Sequence, residues 1–418
     1  MESDPLIKGY FSSVKDSIVS LHYTPGEFYL TMAMEFFLKC SFNFAGYLLS
    51  IFYIEVMGGL VDYLGVKHSY IITSITGLII FTTIVLIENL IVHATLIITG
   101  FAVIAMLTFT SVRKAIILST DLSNRSQGFS MFNVVLYIST IMFGLFSELL
   151  FYLQGVTMDA FKSFFYLFIG FYAISLFLGI FVSKLTRNWT DEKKIYEKGP
   201  LEIMREVINE KRFWRLSAVL SVSAIPIGTL YQSGFALPIY MEREIGDTSN
   251  YGIIIAVFAL LIIILSPILT PLVEYFTIYE CLIIGTVILG IAPLVFIFGA
   301  SYYTIMAYVI ITAIGGTIFE CRVVDYSGYA GYPGREGIFF SLIAYTYSFG
   351  YIVTGIVGGI FLEKYCPEEG DKACWAMWYW IAGVDAIGAL LFIVFRKYLE
   401  QPMNPHEPDP YIFSSHMH

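Results

Sequence analysis

The stretch Gly58-Gly59-Leu60-Val61-Asp62-Tyr63-Leu64-Gly65-Val66-Lys67-His68 is a short polar hinge wedged between long apolar runs. It holds glycines, one aspartate and a basic pair. The pattern returns, degraded, as Leu272-Val273-Glu274-Tyr275-Phe276 at the matching edge of another apolar run. Leu-Val-Asp-Tyr and Leu-Val-Glu-Tyr lie 212 residues apart, about half of the 418-residue chain. Tandem duplication of a membrane-helix bundle leaves such a trace.

Composition supports the membrane. At 57% hydrophobic and 14% charged residues the chain is not a water-soluble globule. Its apolar runs are about 20 residues long, enough to cross a hydrocarbon core of roughly 30 Å. Lipid satisfies no backbone N–H or C=O, so each run must be a helix. The runs are continuous rather than alternating, which excludes a β-barrel. The expected fold is therefore an all-α, polytopic membrane helix bundle. Spans are expected near 28–57, 69–87, 90–110, 129–153 and 162–183, then 215–240, 250–272, 279–299, 302–321, 338–362 and 375–395. That makes about eleven transmembrane helices in two parallel pseudo-repeats.

The same pattern divides the chain. Residues 1–27 carry Leu6, Ile7, Tyr10, Phe11, Val14, Ile18 and Leu21 at helical spacing and predict an amphipathic N-terminal helix on the membrane face. They show neither a secretory nor a transit signal. An N-terminal bundle of about five spans is expected over 28–183, a charged linker over 184–213 with a helix from Glu202 to Lys211, a six-span C-terminal bundle over 214–397, and a polar tail over 398–418. Seventeen of the 24 Lys and Arg fall in the hinge, at 113–125, at 184–215, at 322–335 or at 396–397. Those loops share one side if the spans alternate, which places linker and C-terminus on the cytoplasmic or matrix-like face. The sequons at Asn124 and Asn188 fall on that side and are expected to stay unmodified. Cys366 and Cys374 share one polar loop on the opposite side, where an oxidising compartment would let them pair.

Shifting the chain by 212 residues lays 69–87, 90–110 and 162–183 over 281–299, 302–322 and 374–395. Arg125-Ser-Gln-Gly-Phe falls near Arg335-Glu-Gly-Ile-Phe. Parallel repeats of this size build one class of secondary transporter, with the substrate path between the halves. The hinge itself resembles the signature of the major facilitator superfamily, Gly-x-x-x-Asp-Arg/Lys-x-Gly-x-Arg/Lys-Arg/Lys. Gly58, Asp62, Gly65 and Lys67 match; Tyr63 replaces a basic residue and His68 is a weaker base. The resemblance implies that Asp62 latches the two halves, meeting a segment that begins near Gly337 and either Arg113 or Lys114. An anion at a helix N-terminus is favourable on general grounds, and glycines permit close helix approach.

Two further stretches are similar to the proton-coupled oligopeptide branch of that superfamily. One is Glu35-x-x-Leu38-Lys39-x-x-Phe42-Asn43-x-x-Gly46, and the other is Glu320-Cys-Arg322-Val-Val-Asp325-Tyr326 followed by Pro333-Gly-Arg335-Glu-Gly337. The family bundle has twelve helices. Here residues 3–28 carry Asp4, Lys8, Lys15, Asp16, Pro25, Gly26 and Glu27, too polar to cross a bilayer. The first two helices are thus expected to be fused by deletion.

Charges inside apolar spans are functional candidates by default. Glu35, Lys39 and Asn43 share one helix face, either as a neutralised pair that tolerates burial or as a proton-coupling carboxylate held by Lys39. Glu148 and Asp385 are isolated carboxylates, each either a proton carrier or a packing hydrogen-bond partner. Glu320, Arg322 and Asp325 form either an inner-gate ion network or a surface anchor. Tyr231 and Gln232, downstream of Pro226, are candidate cavity residues.

No phosphate loop, metal set or cofactor motif is present, and the basic residues sit at membrane borders rather than in a nucleic-acid patch. The implied partners are the lipid bilayer and a small solute. Two functions remain open. One is an ion-gradient-driven transporter of a small polar solute. The other is a transport-inactive descendant serving as a structural subunit of a larger membrane complex, with partner proteins holding the polar ends. The membrane itself is undetermined, an energy-transducing organellar membrane being one option.

Overall fold

The computed structural model describes residues 57–87, 89–119, 125–154, 158–185, 199–246, 250–273, 276–331, 335–370 and 372–400. The expected amphipathic segment, the span at 28–57 with Glu35, Lys39 and Asn43, the proposed helix fusion, both sequons and the tail beyond 400 lie outside them.

The regular structure among the described residues is all helical, with short turns between the helices. We label the helices α1 (Met57–Leu86), α2 (Leu90–Thr95, continued by Leu96–Gly100 and Phe101–Ser119), α3 (Arg125–Gln154) and α4 (Met158–Leu185). After a short amphipathic helix, α5 (Pro200–Ile208), come α6 (Lys211–Ile245), α7 (Tyr251–Leu272) and α8 (Ile278–Phe298). The chain then forms α9 (Tyr302–Ala330), α10 (Glu336–Tyr365), α11 (Cys374–Val394) and a last turn, α12 (Arg396–Leu399). Among the described residues seven helices are long and apolar enough to cross a membrane.

Local chemistry explains the boundaries. Thr277 caps α8 and Ser301 caps α9, each in a reciprocal pairing with the residue three positions on, Glu280 and Thr304. Asn89 caps α2 by accepting from Ile91 and Val92 N–H. The expected hinge is not a loop, because Met57–Leu86 is helical throughout apart from one residue. Gly65 takes φ +76°, which a right-handed helix cannot continue through, so α1 is two arms meeting at Gly65. A single left-handed glycine makes the turn within the hinge.

Three other boundaries moved. The linker helix is Pro200–Ile208 rather than 202–211, and it seats Ile203 and Val207 in the core while Leu201, Glu202, Arg205 and Glu206 stay exposed. α6 begins at Lys211, so the linker is shorter than 184–213. α9 runs to Ala330, nine residues past its expected end. Its polar second half is satisfied inside the protein: Arg322 pairs with Asp325 at 3.2 Å, and the Tyr326 hydroxyl donates to the Leu399 carbonyl at 2.7 Å.

The repeat is visible in helix registers. α1 ends at Leu86 and α8 at Phe298; α2 begins at Leu90 and α9 at Tyr302. Both pairs are 212 positions apart, as the sequence echo is. The halves meet where α3 packs on α7 and α9, and α2 on α10; within the C-terminal half α6 packs on α10 and α8 on α9 and α11. Large apolar side chains such as Ile79, Leu145, Phe177, Leu260, Ile310 and Leu390 face outward. In water they would be an aggregation hazard; facing lipid they match their solvent.

Candidate functional site

Two polar places join the halves, and adjacent residues of α2 serve one each. The first is built on Asp62. Its Oδ1 accepts from Gly337 N–H at 2.7 Å and its Oδ2 from Ile338 N–H at 3.1 Å. Those are free first-turn donors of α10, whose own N-cap residue, Arg335, makes no side-chain cap. Asp62 thus caps α10 from another helix, at the positive end of its dipole. Lys114 donates to Asp62 Oδ1 at 3.1 Å and stands 3.7 Å from Glu336 Oε2. Asp62, Lys114 and Glu336 are all nearly excluded from solvent.

Glycines make the approach possible. A Cβ on Gly58 would lie 2.7 Å from the Gly337 carbonyl oxygen, and one on Gly337 would lie 2.5 Å from the Gly58 carbonyl oxygen and 2.6 Å from Asp62 Oδ1. Each is closer than real Cβ atoms come to backbone. Lys67, the last basic match of the hinge, is only partly buried. Arg335 turns the other way, pairing with Glu206 of α5 at 2.6 Å.

Of the two basic candidates, Lys114 reaches Asp62. Arg113 is turned elsewhere, donating to the Phe109 carbonyl at 3.0 Å with its guanidinium over the rings of Phe109 and Phe132. Tyr347 lies within hydrogen-bonding reach, with Glu320 and Tyr231 in electrostatic range. This second place gathers residues from both halves. Tyr137 of α3 donates to Glu320 Oε2 of α9 at 3.4 Å. Tyr231 of α6 stacks on Tyr351 of α10 with ring centres 3.9 Å apart, and Phe109 meets Tyr347 edge-on. From Gly337 to Tyr347 is about 15 Å along α10, so this aromatic place lies well away from the Asp62 contact. A buried guanidinium and a buried carboxylate that do not pair directly, walled by hydroxyl-bearing rings, can hold a polar solute by charge-assisted bonds and stacking.

The remaining candidates fall apart spatially. Glu320 does not join Arg322 and Asp325: it faces α3, while Arg322 bonds Asp325 and the Thr270 carbonyl of α7. Gln232 is buried against α10, its Nε2 near the Thr354 carbonyl at 3.4 Å. Cys366 and Cys374 form a disulfide. Asp385 is fully buried inside the C-terminal half. Glu148 lies on α3, its side chain outside the described set.

Glu336, Tyr137, Tyr347 and Tyr351 were missed from the sequence. An acid in the first turn after Pro-Gly was a usable signal for Glu336, and Tyr347 and Tyr351 stand one helical turn apart. Tyr137 gave no signal among 30 tyrosines.

A protein-family model described as Major Facilitator Superfamily matches residues 18–319 and 229–413. Comparison with curated proteins gives no match. Among solved structures, that of the human organic anion transporter MFSD10 (TETRAN) is similar, with a TM-score of 0.68 at 13% sequence identity over 93% of this chain and 91% of that one. At that identity the likeness is one of fold.

Proposed function

The chain belongs to the major facilitator superfamily, and from that premise we propose that it is a secondary transporter moving a small polar solute by alternating access between its two bundles. The observation that carries this reading is the convergence of Arg113, Glu320, Tyr137, Tyr231, Tyr347 and Tyr351 from both halves on one buried polar place. Arg113 would hold an anionic group of the solute, stacked rings would hold its body, and Glu320 would hold a donor. The similar human structure is that of an organic anion transporter, which agrees with a buried arginine at this position.

Asp62, Lys114 and the start of α10 are the latch in this scheme, holding one face closed. Gly58 and Gly65 provide its approach and its turn, and Lys67 a peripheral charge. Proton coupling is assigned to carboxylates within the spans, with Glu320, Glu35 and Glu148 as candidates, and Lys39 and Asn43 as partners of Glu35. Arg322, Asp325 and Arg335 act as structural ion pairs beside the gate. The protein works in a bilayer, as a carrier rather than a catalyst.

Uptake into proteoliposomes tests this. With a panel of labelled organic anions and zwitterions, at least one solute is expected to accumulate in wild type, with a proton gradient raising the rate. Arg113→Gln should lower uptake of that solute about 10- to 100-fold, the cost of one charge-assisted bond at roughly 1.5–3 kcal/mol. No uptake of any panel member under any gradient would contradict transport and favour a structural subunit that has kept only the fold.

A further inference from the structure

An unbroken train of rings starts at Arg113 and crosses from one half to the other. The guanidinium carbon stands 3.2 Å from the centre of the Phe109 ring. Phe109 meets Tyr347 edge-on at 5.9 Å, and Tyr347 lies 6.3 Å from Tyr231. Tyr231 in turn stacks on Tyr351 at 3.9 Å, with the ring planes 15° apart. All four rings are half-buried, so each keeps surface that the protein does not cover. Arg113 itself is buried, and its Nε–H has no partner among the described residues. A guanidinium donor left unpaired away from water is unfavourable, and it is the kind of edge to which a carboxylate bonds.

Positive charge is scarce around this train. Lys114, next to Arg113 on α2, is engaged by Asp62. Arg322, two residues beyond Glu320 on α9, is engaged by Asp325 and the Thr270 carbonyl. A solute with one anionic group can therefore be met by Arg113, whereas a second anionic group would find no cation and would face Glu320, which Tyr137 holds from the other half. We propose, deepening the transport reading on which this rests, that the solute is an aromatic monocarboxylate. Its carboxylate bonds Arg113, and its ring lies on the open surfaces of Tyr347, Tyr231 and Tyr351. An aliphatic acid of the same size forgoes the ring–ring geometry, and a dicarboxylate buries an unpaired charge.

Equilibrium binding to the full-length protein in detergent, read from ligand-dependent shifts in melting temperature, tests this with no gradient and no uptake. Phenylacetate and cyclohexylacetate share a charge and nearly a size, but only the first has π faces. Homophthalate adds a second carboxylate, and phenylacetamide removes the first. Phenylacetate is expected to bind about 3- to 10-fold tighter than cyclohexylacetate, the range that one ring pair gives. It should bind at least about tenfold tighter than homophthalate or phenylacetamide. Tyr351→Leu should bring phenylacetate and cyclohexylacetate level, whereas Tyr351→Phe, which keeps the ring, should preserve the gap. Cyclohexylacetate or homophthalate binding as tightly as phenylacetate would overturn the proposal, and so would the lack of saturable phenylacetate binding. Uptake of an aliphatic or dicarboxylic solute by protein that does not bind phenylacetate would overturn the solute class and leave transport standing. Ring-selective binding with no uptake of any solute would uphold the class and contradict transport.

Discussion

Arg113 and Lys114 are neighbours in sequence and point about 100° apart around α2, so one enters the latch and the other the aromatic place. The motif could not choose between them, since the choice depends on helix phase rather than on charge. At the latch, charge is scarce and buried: Lys114 is 1% exposed and stands between two carboxylates, Asp62 and Glu336. Asp62→Asn removes one anion and weakens acceptance from the α10 N-terminus. Lys114 keeps Glu336 at 3.7 Å, so the loss is that of hydrogen bonds to a charged group, about 1.5–3 kcal/mol each, and a marked fall in the detergent melting temperature is expected. Arg396→Gln, which breaks the partly exposed ion pairs of Arg396 with Glu280 and Glu400, should change the melting temperature far less. Equal effects from both would mean that Asp62 is not held as described.

At the scale of elements, α1 and α10 are set by their glycines. Gly58→Ala puts a Cβ 2.7 Å from a backbone oxygen and 2.8 Å from the Ile338 Cα, atoms that cannot move aside like a side-chain tip. The helices must separate, an overpacking cost of about 1–3 kcal/mol. Gly252→Ala on α7 meets nothing within 4 Å and should stay within about 1 kcal/mol of wild type. Thermal melts of the pair check the contrast. This contact was legible in the sequence, because Gly-x-x-x-Asp places the small residue and the anion on one helix face, one turn apart. The continuation of α9 through Arg322 and Asp325 was not. Polar residues end a span only where they meet water, and here they meet Thr270, Leu399 and one another. The aromatic place was hidden for a different reason: its rings come from four helices, and no local spacing records their meeting.

For the whole molecule, the 212-residue echo set the architecture before any helix was seen, and the coincident ends of α1 with α8 and starts of α2 with α9 carry the same offset. What an echo cannot convey is contact between halves, which rests on α2 with α10 and α3 with α7 and α9. Alternating access requires one such contact to open while another closes. The Asp62–α10 contact is held by an ion pair and two hydrogen bonds to the carboxylate, so a charge change there should release it. Pulsed electron paramagnetic resonance measures this directly. Spin labels at Tyr63→Cys and Tyr398→Cys, both exposed positions on opposite halves, report the latch side once Cys40, Cys281 and Cys321 are replaced. In lipid the wild type should show a short-distance population that Asp62→Asn shifts to longer distances. One unchanged distribution in both proteins would contradict a latch between moving halves.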